Sequence, residues 1–163
     1  MLDRKGKVMD EQMKTLPIIA LKGMTILPEM LVHLDVNRDI TKNAIEEAMA
    51  GDSLIFITSQ KDDRVELPIY SDLMSVGVVA KIRQVIKMEN QVVRILVSTM
   101  RRGTLAALVQ NEPYLAGDIV ILEDEQWEDT VSVLEQTALC RDMKEMYTKY
   151  LRQNPSAGRS AYE

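Results

Sequence analysis

The chain has 163 residues, 46% hydrophobic and 28% charged, which is ordinary globular usage and enough for one domain with a sizeable core. Its net charge of −5 and pI near 5.0 argue against a general nucleic-acid binder, which is normally basic. One cysteine, Cys140, excludes an internal disulfide framework and fits a reducing compartment, and no run approaches the roughly 18 apolar residues of a membrane span. A soluble, cytoplasmic protein is expected.

Residues 1–15 are polar and charged, lack the apolar stretch of a signal peptide, and are expected to form a mobile tail. Leu16 to Leu21 reads as a first strand. Lys22-Gly23 marks a turn, since glycine adopts positive φ at little cost. Thr25 to Leu27 is expected to be extended, and Pro28-Glu29 turns the chain again. From Leu31 to Val36, Val32, Leu34 and Val36 alternate with His33 and Asp35, the pattern of a half-buried strand. A short helix follows. Thr41 is placed to cap it through its hydroxyl, with Ile40 and Ile45 at the two staple positions. Ala44, Ile45, Ala48 and Met49 form its apolar face, and Gly51 stops it.

Residues 53–59, SLIFITS, are apolar on both faces and read as a buried strand. Residues 61–75 form a long polar connection. In VGVVAKIRQVI, Val78, Ala80, Ile82 and Ile86 share one face, and KMENQ then closes a hairpin with VVRILVS. Leu105 to Val109 and Ile119 to Leu122 supply two more short strands. Six or seven short strands and one short helix give a mixed α+β fold, a small twisted β-barrel or sandwich. After Leu122 the spacing turns helical. Leu139, Met143, Met146, Tyr147 and Tyr150 recur on one face, and Asn154-Pro155 ends the helix. One amphipathic helix cannot bury its own face, so residues 123–163 read as the cut-off start of a helical region.

No catalytic constellation assembles. His33 is the lone histidine, far in sequence from Cys140, and its strand position reads as a partly exposed residue. There is no H-E-x-x-H, no C-x-x-C and no phosphate-cradling glycine loop, so catalytic, cofactor and metal residues are expected to be none. The acidic run Glu123, Asp124, Glu125, Glu128 and Asp129 reads as a helix N-terminus with favourable charge. The basic residues Lys81, Arg83, Lys87, Arg94, Arg101 and Arg102 read as a solvated sheet face, because no aromatic residues interleave them for base stacking. The sharper signal is apolar: Met24, Leu27, Pro28, Met30 and Met88 fall at turns, where burial is hard. Some such residues fold back to cap a barrel. The functional alternative is an adaptable patch, rich in methionine, that grips exposed apolar segments of other proteins.

Residues 16–153 resemble the N-terminal domain of the Lon family of ATP-dependent proteases. Leu16-Pro17, Leu21-Lys22-Gly23, Ile26-Leu27-Pro28, Met30, Leu34-Asp35-Val36 and Arg38 follow the family's opening order. Glu46-Glu47-Ala48 matches its helix, and Gln60-Lys61-Asp62 its QKD. Val76 to Ile82 is similar to VGTVAKI, and Arg94 to Arg102 to VRVLVEGLxR. Departures are Glu29 where glycine is common, His33 where proline is common, and Ser98-Thr99 in place of Glu-Gly. The resemblance implies a PUA-like β-rich domain over 16–122, followed by helices leading to an ATPase ring and a Ser–Lys protease domain. ATP and Mg belong to that other part, and this chain is expected to be a non-catalytic N-terminal fragment.

The implied role is recognition of unfolded or damaged proteins, with other copies of the parent protease as partners in a homo-oligomer. Membrane and nucleic acid are not expected partners. An alternative gives the module an assembly or bracing role through Tyr147, Tyr150 and Leu151. An RNA-binding role through the Lys81–Arg102 hairpin ranks last.

Overall fold

The computed structural model of the chain describes residues 13–88, 91–122 and 132–154. In order the elements are β1 (Met13–Leu21), β2 (Leu31–Val36), α1 (Asp39–Ala50), β3 (Leu54–Ser59), β4 (Val76–Lys87), β5 (Val93–Gln110), β6 (Ala116–Ile121) and α2 (Val133–Gln153). They fall into two compact units, Met1–Asp124 and Glu125–Glu163.

The first unit is one six-stranded sheet in the order β2-β5-β4-β3-β1-β6. β1 and β3 are parallel, and the other pairings are antiparallel. β5 also pairs with β6, which folds the sheet back on itself. The result is a strongly twisted sheet rather than a clean barrel. β5 achieves this by length. Its first part pairs with β2 and β4, and its last part, from Gly103, pairs with β6. Two predicted short strands are therefore one continuous strand, bent where the register shifts between Leu105 and Ala107.

The alternation of β3 explains the core. Ile55 and Ile57 point into one cluster with Ile19, Leu34, Val36, Val78, Ala80, Ile95 and Val97. Phe56 points the other way, among Leu16, Ile18, Val79, Leu105 and Ile119. A strand buried on both faces needs no polar alternation, as SLIFITS suggested. α1 lays Thr41, Ala44, Ile45 and Ala48 over the first cluster at helical spacing.

Several expectations are corrected. β1 begins at Met13, which faces Val120 of β6, so residues 13–15 belong to the sheet rather than to a tail. Residues 25–27 form no strand. The N-cap of α1 is Arg38, with no side-chain cap bond. Thr41 lies a turn further in and is buried, so the staple reading of Ile40 and Ile45 fails with it. Met49 and Ile86 are exposed, and Val79 is buried as well as Val78 because β4 is covered on both faces: Val78 and Ala80 enter the first cluster and Val79 the second. Gly51 is the C-cap as expected. Glu29 has φ 60, a left-handed conformation in which L-residues other than glycine and asparagine are uncommon.

α2 starts at Ser132, whose hydroxyl accepts from the Glu135 N–H at 3.3 Å, and ends at Asn154. It has no buried residue. The acidic run 123–129, the hairpin tip at 89–90, Pro155 and the last eight residues lie outside the described residues.

The Phe56 ring rests on two glycines that face each other across β4 and β5, Gly77 and Gly103. A Cβ on Gly77 would lie 2.6 Å from the Phe56 ring and closer still to the Ile57 carbonyl. Gly77→Ala is expected to destabilise the chain by about 1–3 kcal/mol through overpacking. A denaturant titration reads this directly; an unchanged midpoint would refute the close-approach argument.

Candidate functional site

The segment between β1 and β2, residues 22–30, is held by polar groups. The Gly23 N–H donates to Asp63 Oδ1 at 2.8 Å. The Ser59 hydroxyl donates to the Met24 carbonyl at 2.6 Å. Buried Thr99 on β5 accepts from the Met30 N–H at 2.7 Å, and its hydroxyl faces the Leu27 carbonyl at 2.8 Å. The backbone is pinned on its inner side, and only Ile26 of this segment is buried. Met24, Leu27 and Met30 therefore stand out to solvent at 50%, 56% and 44% exposure, with Leu31 beside them. Pro28 is half-buried and lines a small cleft with Leu27.

Met88 is exposed too, but the structure sets it apart. Its N–H donates to the Val92 carbonyl, whereas Met30 bonds to Thr99. Six residues of β5, 93–98, lie between those partners, roughly 20 Å of strand. The predicted patch thus divides into Met24, Leu27, Pro28 and Met30 at one end of β2 and Met88 at the other. Tyr147 and Tyr150 are exposed on α2, and Leu151 is half-buried.

A second constellation was not singled out from the sequence. The Arg38 guanidinium donates to Gln60 Oε1 at 2.9 Å, to the Glu66 carbonyl at 3.4 Å, and to the Ala20 carbonyl. Gln60, itself buried, donates to the Val65 carbonyl at 2.9 Å. One side chain thereby ties the end of β1, the start of α1, the end of β3 and the long 61–75 connection. Burial lowers the Arg38 pKa from its ordinary value, while Glu66 nearby raises it. The available signal was that Arg38 and Gln60 both sit in motif positions.

Between the end of β1 and β2 lies a groove of about 490 Å³, walled by Ile19, Leu21, Met24, Leu34 and Val36. At its rim Arg94 makes a two-pronged bond to Asp35, at 2.6 and 2.7 Å. The Arg94 bonds hold the Asp35 carboxyl below the usual carboxylate value of 3.8. His33 stands exposed on β2 and also lines this groove. Arg94 is thus engaged, while Arg83, Lys87, Arg101 and Arg102 spread along the exposed β4–β5 hairpin. Among the described residues no group of three or more His, Cys, Asp or Glu side chains is placed to hold a metal. Among the described residues, too, no helix is long and apolar enough to cross a membrane.

What these surfaces offer is contact: pinned loops, protruding apolar side chains and an open groove on a twisted sheet. This is the make-up of a binding module. The comparisons name its family. The description "ATP-dependent protease La (LON) substrate-binding domain" matches residues 15–161. The Lon protease of Lachnoclostridium phytofermentans is 37% identical over 146 residues, covering 90% of this chain and 18% of that protein. The Lon protease of Clostridium acetobutylicum is 34% identical over 155 residues, covering 95% and 20%. The solved N-terminal domain of a Mycobacterium avium complex Lon protease superposes with a TM-score of 0.65 at 24% identity, covering 91% of this chain and 74% of that one, and shares the fold. The chain belongs to the Lon substrate-binding domain family, and it spans about a fifth of the length of these curated relatives.

Two outcomes follow from the polar contacts. Arg38→Met is expected to cost about 1–3 kcal/mol, because buried Gln60 loses a partner. It should also speed amide exchange in residues 61–75; an unchanged exchange rate there would refute the clamp. For Asp35, a lowered folded-state value means that its stabilisation is present above pH 3.8 and is lost as pH falls through the lowered value. In an NMR titration Asp35 should ionise below 3.8, and Arg94→Ala should move it upward toward 3.8.

Proposed function

We propose that this chain engages unfolded or damaged protein substrates for a Lon-type ATP-dependent protease, with no catalysis of its own. The observation that carries this is the pinned 22–30 segment. Its backbone is fixed by Asp63, Ser59 and Thr99 while Met24, Leu27 and Met30 remain exposed. Methionine and leucine on a fixed frame suit apolar segments of varied shape. Family membership supports the same reading. Each contact is weak, and several copies around a ring multiply it. The protein acts in the cytoplasm as part of a homo-oligomer, without membrane or nucleic acid as partner. ATP and Mg serve other parts of the parent protease.

A second reading, assembly or bracing of the oligomer, draws on α2. Leu139, Met143, Met146, Tyr147 and Tyr150 are all more than half exposed along one helix face. Sedimentation of the chain at high concentration tests it; a strictly monomeric species would count against this reading.

The substrate reading is tested by a reduced, unfolded client and photoreactive groups placed at Met24, Leu27 and Met30. Crosslinks at these positions are expected. Replacing all three by serine should weaken client binding roughly tenfold, as loss of three apolar side chains from a contact implies. Full client affinity in the triple variant would overturn the proposal.

A further inference from the structure

The geometry points to the free edge of β2 as the place where an extended polypeptide segment is taken up as an added strand. This rests on the substrate-engaging reading above and specifies the form in which a substrate is held.

The Thr99 N–H donates to the Met30 carbonyl at 2.9 Å. Directly opposed residues of an antiparallel pair alternate between bonded and non-bonded positions. Counting on from Met30, the bonded pairs are Val32–Val97, Leu34–Ile95 and Val36–Val93. Leu31, His33 and Asp35 therefore turn their backbone N–H and C=O groups away from β5. Among the described residues, β5 is the only strand paired with β2. Sheets commonly blunt such an edge with proline, lysine or a bulge. β2 reads LVHLDV, with an unbroken register, and has none of these.

The other side of the groove matches. β6 pairs with β1 only as far as Pro17. Beyond it, the Ile18 N–H donates to the Leu115 carbonyl, and the Ala20 carbonyl accepts from Arg38. Arg38 thus supplies one donor where a neighbouring strand would supply several. β1-β3-β4-β5-β2 is a run of strands whose two ends line one groove, walled by Ile19, Leu21, Leu34 and Val36. A segment bonded to Leu31, His33 and Asp35 would place alternate side chains against these residues.

Charge and size select the occupant. The groove carries Lys22, Arg38 and Arg94; Lys22 is paired with Glu66 at 2.8 Å and Arg94 with Asp35, which leaves the Arg38 charge in excess on a chain whose net charge is −5. An extended apolar segment flanked by carboxylates complements it. A second copy of the chain does so poorly. β2 has six residues. Pairing two such strands edge to edge falls short of the roughly 1,200 Å² at which stable interfaces begin. Backbone bonding reads no side chain, which suits substrates of many sequences.

The test uses the whole chain and two synthetic ten-residue peptides with one sequence, alternating valine and threonine with an aspartate at each end. The second peptide is N-methylated on alternate amides. Binding is read by calorimetry, and protection of β2 amides by hydrogen exchange. The unmodified peptide should bind and slow exchange at Leu31, His33 and Asp35. Methylation should weaken binding at least roughly tenfold, as loss of two or three backbone bonds implies. His33→Pro, tolerated on edge strands because the N–H faces outward, should do the same without lowering the unfolding midpoint. Equal binding of both peptides, or binding without protection of β2, overturns the edge proposal. So does a reduced unfolded client that binds while the peptide does not; in that case the broader substrate reading stands. Protection of β2 that rises with protein concentration alone overturns it in favour of self-association. Failure of both client and peptide to bind overturns both readings.

Discussion

The contact of the Phe56 ring with the backbones of Gly77 and Gly103 is the constraint on which the sheet depends. β5 pairs with β2, β4 and β6 in turn, and its register on β6 shifts between Leu105 and Ala107, just past Gly103. A side chain at Gly103 would meet Phe56 and Ile119. The glycines let the β4 and β5 backbones approach the ring, and the ring fills the second core cluster as β5 turns toward β6. Packing of this density leaves little room for volume change. That is why one sheet can wrap two apolar clusters without becoming a symmetrical barrel.

Upon this frame the loops are fixed by single polar side chains rather than by more core. Arg38 with Gln60 holds the 61–75 connection, and Thr99 with Ser59 and Asp63 holds 22–30. Buried hydrogen-bonding groups are costly when unpaired, so each anchor fixes a backbone position strongly while covering little surface. The apolar side chains of the pinned segment are left in solvent as a consequence. Fixed backbone and free side chains also frame the groove. Arg38 closes part of it by bonding Ala20, and Asp35–Arg94 orders its rim.

Much of this was legible in the sequence, because period-two and period-3.6 patterns report burial directly. Leu31–Val36, SLIFITS and, apart from exposed Met49, the face of α1 followed their patterns. Ordered motifs from Leu16 to Arg102 carried the family, which the comparisons establish. Thr41 misled because a hydroxyl near a helix start satisfies a capping pattern, while the true N-cap residue, Arg38, spends its side chain on β1 and β3. The substitution of Glu29 for a common glycine became meaningful once its φ of 60 was seen.

What the sequence determined by itself was the two helices, most of the strands and much of their apolar faces, and membership of the Lon substrate-binding domains. Those properties are local, or are carried by residue order. Tertiary structure alone decided that two predicted strands are one, that Met88 lies apart from Met30, and that among the described residues β2 pairs with β5 alone and faces β1 across a groove. Each of these depends on which distant strand lies alongside, and strand pairing is chosen by the packing of whole faces rather than by any local pattern.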